Sequence, residues 1–262
     1  GAIYMTALAG SISGGPTYQD NDILRWDGDV WSVWFDGAAA DLQQGNNQIH
    51  NINAFAILDE DAGEVVMAFS QNRRFVPGII SPVDGMDLVR WDGSAFSFYF
   101  DGSDVGLTQK TPEKIDGLHI LPGAASPING GDCLAYLLIS TQGPGKVPRF
   151  GGGTLSFGGE DVLGFCATQL GTTTAGHWHM VVDGSAEGMP KNSTDSLSLS
   201  ADGQTLYVMT RGGFHVDSAN GGHSSVYAYD MTTHTFSGPV FRAADEGLTK
   251  KVDGLDVIGD LP

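Results

Sequence analysis

Two phrases recur along this chain, and their spacing limits what it can fold into. The terminal run Val252-Asp253-Gly254-Leu255-Asp256-Val257-Ile258 repeats Ile115-Asp116-Gly117-Leu118-His119-Ile120-Leu121. Weaker copies are Asn53-Ala54-Phe55-Ala56-Ile57-Leu58 and Asp195-Ser196-Leu197-Ser198-Leu199-Ser200. The second phrase is Ile23-Leu24-Arg25-Trp26-Asp27-Gly28, followed by Trp31-Ser32-Val33-Trp34-Phe35-Asp36-Gly37. It returns as Leu88-Val89-Arg90-Trp91-Asp92-Gly93, followed by Phe96-Ser97-Phe98-Tyr99-Phe100-Asp101-Gly102. Self-similarity of this kind sets architecture before any catalytic motif does.

The repeats read as strands. Glycine and proline punctuate the sequence every few residues, long 3.6-residue periods are missing, and short runs such as Val65-Val66-Met67-Ala68-Phe69 dominate, so the class is all-β. Each unit has four strands. Strand A is the Asp-Gly-Leu phrase, and strand B is the apolar run after it. Strand C is the Leu-Val-Arg-Trp phrase, and strand D is the Phe-Ser-Phe-Tyr-Phe-Asp-Gly phrase. Strand C starts at Asp22, Asp87, Asp161 and Ser225, and strand A near Asn53, Asp116, Asp195 and Asp253. Four copies predict a four-bladed β-propeller of antiparallel blades, a single domain over residues 1–262. The chain begins with a B strand and ends with an A strand, so residues 2–9 are expected to pair with residues 252–258 and remove the exposed edges. An open two-sheet sandwich is the alternative, and the fourfold phase disfavours it.

Thirty-one acidic against thirteen basic residues give a net charge of −18, which argues against a duplex nucleic acid partner. No apolar run reaches membrane-spanning length, so no membrane span is expected. No signal peptide is readable, so any export signal is expected to have been removed.

The segment Phe100-Asp101-Gly102-Ser103-Asp104-Val105-Gly106-Leu107 with Ile115-Asp116-Gly117-Leu118-His119 resembles the repeats of a family of bacterial secreted β-propellers. Asp161-Val162-Leu163-Gly164-Phe165 with Thr168-Gln169-Leu170-Gly171-Thr172-Thr173-Thr174-Ala175-Gly176 carries the same resemblance. It implies an exported protein, extracellular or periplasmic, and no common activity. The third unit departs from the pattern, with Ser225 in place of the strand C aspartate and Pro239 in strand D.

The D-to-A and B-to-C connections are long and are expected to share one face. Long loops on a rigid scaffold commonly hold binding sites. Eleven of the thirteen basic residues lie in them, which singles out Arg73, Arg74, Phe75, Arg149, Phe150, Arg211, Phe214 and His215 as candidate ligand contacts. Asp116, Asp195 and Asp253, with Asn53, open the innermost strands and should ring the axis. Their oxygens are of the kind calcium uses, although each also suits a turn-fixing role. His177 and His179 share one side of a D strand and, with Met180, could hold copper, although Trp178 between them occupies a packing position of the repeat. The only cysteines, Cys133 and Cys166, fall at the start of strand B and the end of strand C of one unit. These are antiparallel neighbours, so a disulfide is expected, worth roughly 2–4 kcal/mol. Two buried free thiols are the alternative.

No nucleophile elbow or metalloprotease motif is readable, and Gly151-Gly152-Gly153 follows no strand-to-helix pattern. Asn192-Ser193-Thr194 is a formal glycosylation sequon. The leading expectation is an exported, non-catalytic binding or interaction propeller. It would contact a small molecule, glycan or protein through the long-loop face. The second is a calcium- or copper-binding surface protein, and the third a hydrolase using the long-loop face.

Overall fold

The computed structural model describes residues 1–44, 48–124, 131–191, 194–259 and 261. It is a four-bladed β-propeller of four antiparallel sheets. In A-to-D order, blade 1 is Ile52–Asp59, Glu64–Phe69, Leu88–Trp91 and Phe96–Phe100. Blade 2 is Ile115–Pro122, Ala135–Thr141, Val162–Gln169 and Ala175–Val182. Blade 3 is Thr194–Leu199, Thr205–Thr210, Ser225–Asp230 and Thr235–Arg242. Blade 4 takes its A strand, Val252–Ile258, from the C-terminus and its other strands, Ala2–Ala7, Ile23–Trp26 and Trp31–Phe35, from the N-terminus. The register runs from Ala2 opposite Ile258 to Ala7 opposite Val252, and the Leu8 amide extends it to the Lys251 carbonyl at 3.0 Å. The ring is closed as the repeat phase requires.

The apolar core is divided among the blade junctions. Phe100, Phe165 and Trp178 meet between blades 1 and 2, and Trp26, Trp31 and Phe241 between blades 3 and 4. Phe214, Tyr227 and Phe236 fill the junction of blades 2 and 3, and Phe35, Trp91 and Phe96 that of blades 4 and 1. Each blade therefore buries both faces against its neighbours, and no blade has a core of its own.

The recurring Asp and Gly residues form one device, used three times. The carboxylate that opens strand C accepts two backbone amides. One comes from the B-to-C loop three residues earlier and the other from the glycine that follows strand D. Asp22 takes Gln19 N at 2.8 Å and Gly37 N at 2.9 Å. Asp87 takes Asp84 N at 2.8 Å and Gly102 N at 3.1 Å, and Asp161 takes Gly158 N at 2.8 Å and Gly184 N at 2.9 Å. The two chain segments approach so closely that a Cβ on Gly102 would lie 2.3 Å from the Met86 carbonyl oxygen, which explains glycine at this repeat position. Blade 3 has Ser225 instead of the aspartate, and there the glycine becomes Ala243, whose amide goes to the Ser224 carbonyl at 3.2 Å. An indole adds a second link between blades. Trp178 donates to the Val105 carbonyl and Trp31 to the Glu246 carbonyl, each at 2.9 Å, so both D strands are tied to the loop of the preceding blade.

The long B-to-C loops are hairpins rather than open loops. In blade 2, Gly145–Pro148 pairs with Thr154–Phe157; in blade 3, Phe214–Val216 pairs with Ala219–Gly221. They fold down over the outer D strands: Phe150 N bonds to Trp178 O at 3.2 Å, and Phe236 N donates to Asp217 Oδ2 at 2.8 Å. The loops thus cover edges that an open blade would leave unpaired. Cys133 and Cys166 form a disulfide with a Cα–Cα distance of 5.3 Å. It ties the segment just before strand B to strand C of blade 2.

Burial pushes Asp87 up to about 7. The unfolded chain releases this proton near the ordinary aspartate value, so the folded state binds more protons between about pH 4 and pH 7. The stability of the wild type relative to an Asp87→Asn variant should therefore be largest near pH 4 and fall as the pH rises to 8. Urea denaturation of both proteins across that range checks it; a constant difference would contradict the assignment.

Candidate functional site

Strand A of every blade begins at the same end of the axis, and each opens with the Asn or Asp of its repeat phrase. The structure brings Asn53, Asp116, Asp195 and Asp253 together there, as their phase predicts. Asn53 Nδ2 donates to Asp116 Oδ1 at 2.7 Å and to the Ile115 carbonyl at 2.7 Å. Two cations of the protein itself enter the ring. Arg211, one residue past strand B of blade 3, pairs through Nη2 with Asp116 and through Nε with Asp195 at 2.9 Å. Lys251, two residues before Asp253, pairs with Asp253 and lies 3.4 Å from Asp195. The carboxylates are almost fully buried, and buried charges need partners.

The electrostatics follow from this packing. Burial and the neighbouring Asp195 carboxylate push Asp116 upward, against the pull of Arg211 and Asn53. Burial also raises Asp253, with Lys251 opposing it. Burial works against the Lys251 charge, but Asp195, Asp253 and Asp116 outweigh it and hold its pKa above the ordinary lysine value. A calcium ion at this ring would compete with Arg211 and Lys251 for the same oxygens. Among the described residues, no group of three or more His, Cys, Asp or Glu is arranged to hold a metal ion.

A second polar layer lies deeper along the axis, three residues further along strands A. Asp256 accepts Ser198 Oγ at 2.7 Å and Ile57 N at 2.8 Å, and His119 Nδ1 is 3.7 Å from Asp256 Oδ1. Ser198 Oγ also accepts Val257 N at 3.0 Å. The residue types are those of acyl-transfer catalysis, but the hydroxyl is aimed at the carboxylate and is sealed from solvent. The layer links the inner strands of blades 2, 3, 4 and 1 in turn.

The remaining candidates do not converge. Arg211 belongs to the axial ring and not to an open ligand surface. Phe214 is fully buried between Tyr227 and Phe236, 4.6 and 5.1 Å away, which corrects its expected role in ligand contact. Arg73, Phe75, Arg149 and His215 are exposed on three different B-to-C loops. Arg74 is half-buried beside them, and Phe150 packs edge-on against His177 at 4.9 Å. His177 is exposed. His179 turns inward, stacks on Tyr136 and meets its hydroxyl through Nε2 at 2.6 Å, over the space left by Gly164. The sequon falls partly outside the described residues. The roles of Arg211 and Lys251 were missed from sequence, although three axial carboxylates already required countercharge.

The fold defines the class: a four-bladed β-propeller. No family model matches the sequence, and no curated protein matches it. Among solved structures, it is similar to the extracellular domain of a hybrid two-component system from B. thetaiotaomicron, with 14% identity and a TM-score of 0.37. The match covers 95% of this chain and 35% of that one, so the chain spans about a third of the neighbour's length. No helix of the described residues is long and apolar enough to cross a membrane.

Replacing Arg211 with alanine leaves Asp116 and Asp195 buried with one cation fewer. The loss should be about 3 kcal/mol of folding stability, partly restored in Arg211→Lys. Chemical denaturation measures it; an Arg211→Ala protein as stable as the parent would show that the ring does not depend on the guanidinium.

Proposed function

We propose that this chain is an exported, non-catalytic binding propeller that meets a protein or glycan surface through its B-to-C loops. The observation that carries this reading is the loop of blade 1. It exposes Phe75 by 54% and Ile80 by 96%, with Arg73 beside them. Large apolar side chains held in water on a loop, next to a cation, suit a partner surface better than a closed reaction site. Arg149 and His215 extend the same character to the loops of blades 2 and 3. The disulfide supports an oxidising location, extracellular or periplasmic, because such bonds persist there and are rare in a reducing cytosol.

An array of polysaccharides and extracellular proteins tests the reading. A partner captured by the parent should be lost in Phe75→Ser/Ile80→Ser and retained in Asp202→Asn/Asp230→Asn, which alters exposed turns of blade 3. Loss in the second variant with retention in the first would refute it.

A further inference from the structure

The rim between blades 4 and 1 carries a feature that the loop-tip reading does not use. Two adjoining clefts of about 250 and 310 Å³ meet at Trp91 and share Ala39 and Ala40. One wall is the D strand of blade 4, with Trp34 and Phe35, and the other is the C-to-D hairpin of blade 1, with Trp91 and Phe96. Ala62, Gly63 and Gly93 also line the first cleft, so its large side chains are the aromatic ones. Trp34 and Trp91 are both half-buried. Unlike Trp31 and Trp178, neither donates its indole N–H to any described residue.

The charge around the groove has one sign. Asp36 lines the first cleft and Asp41 the second. Asp36 spends Oδ1 on the amides of Ala38 and Ala39. The two arginines on the neighbouring C strands are committed elsewhere: Arg25 to Glu60 at 3.2 Å and Arg90 to Glu64 at 2.7 Å. The chain as a whole carries −18. Aromatic faces with carboxylates at their rim attract a cation that has an apolar surface, because the ring quadrupole and the carboxylates act with the same sign. A hydrated metal ion would leave the indoles unused, and an anion would be repelled.

We propose that the Trp34–Trp91 groove binds an organic ammonium ion, with the methylated nitrogen against the indoles and Asp36 and Asp41 as countercharges. The assignment is separate from the loop-tip reading, which rests on the exposed Arg73, Phe75 and Ile80 side chains, although Pro77 and Gly78 of the same loop line the second cleft. Choline is the probe, with 3,3-dimethylbutan-1-ol as its uncharged isostere and cellobiose as a neutral sugar. Titration is followed by tryptophan fluorescence and calorimetry at constant ionic strength.

Choline should bind, the isostere and cellobiose should not, and affinity should fall when salt rises from about 0.05 to about 0.5 M. Trp91→Leu should abolish binding. Asp36→Asn/Asp41→Asn should weaken it about fivefold, the scale of an exposed charge contribution. Asn retains the cap at residue 36 and tolerates the left-handed backbone at residue 41, so this variant decides the matter if Trp91→Leu does not fold. Equal binding of choline and its isostere, binding of cellobiose alone, or no binding of choline would each overturn the proposal.

Discussion

Everything in this molecule rests on the pairing of Ala2–Ala7 with Val252–Ile258. Each blade buries both faces on its neighbours, so the ring has no self-sufficient part. If that pairing opened, the Met5, Leu255 and Val257 side would leave blade 3 uncovered, and the Ala2 and Tyr4 side would leave Phe55 and its face of blade 1 uncovered. The closure joins residues about 250 positions apart, and its entropic cost grows only slowly with loop length. The reward is the completion of two junction cores at once. The disulfide cannot substitute, since it closes only a separation of 33 residues inside blade 2.

The architecture was legible because the repeat phrases mark physical necessities. The strand C aspartate, the glycine after strand D and the tryptophan at the head of strand D recur because one clamp and one inter-blade link recur. Where blade 3 lacks the aspartate, it also lacks the glycine, as a shared cause requires. The disulfide was legible for the same reason: the strand order places Cys133 near Cys166. The path of the B-to-C loops was not legible. Their length says only that they leave the sheet. Their descent over the D strands depends on tertiary bonds such as Phe236 to Asp217, which no local pattern encodes.

The axial ring shows a similar division. Its carboxylates could be placed from phase, because they sit at a fixed position of a repeated strand. Arg211 occurs once, and Lys251 shares its repeat position only with Lys114, whose Nζ donates to the Ser70 carbonyl instead, so the countercharge was hidden among loop residues. The position of Arg211 and Lys251 sets two cations of the protein among the three carboxylates whose oxygens resemble a cation site. Exposed aromatic and charged groups lie away from the axis instead, on the loops and in the rim clefts between blades.

The central claim is that closure between the two termini, and not any single blade, makes the fold. The direct measurement is the thermal unfolding of a chain lacking residues 252–262, followed by circular dichroism and compared with the parent. The account predicts a truncated chain that is insoluble or melts without a cooperative transition. A truncated chain that melts cooperatively at the parent temperature would contradict it.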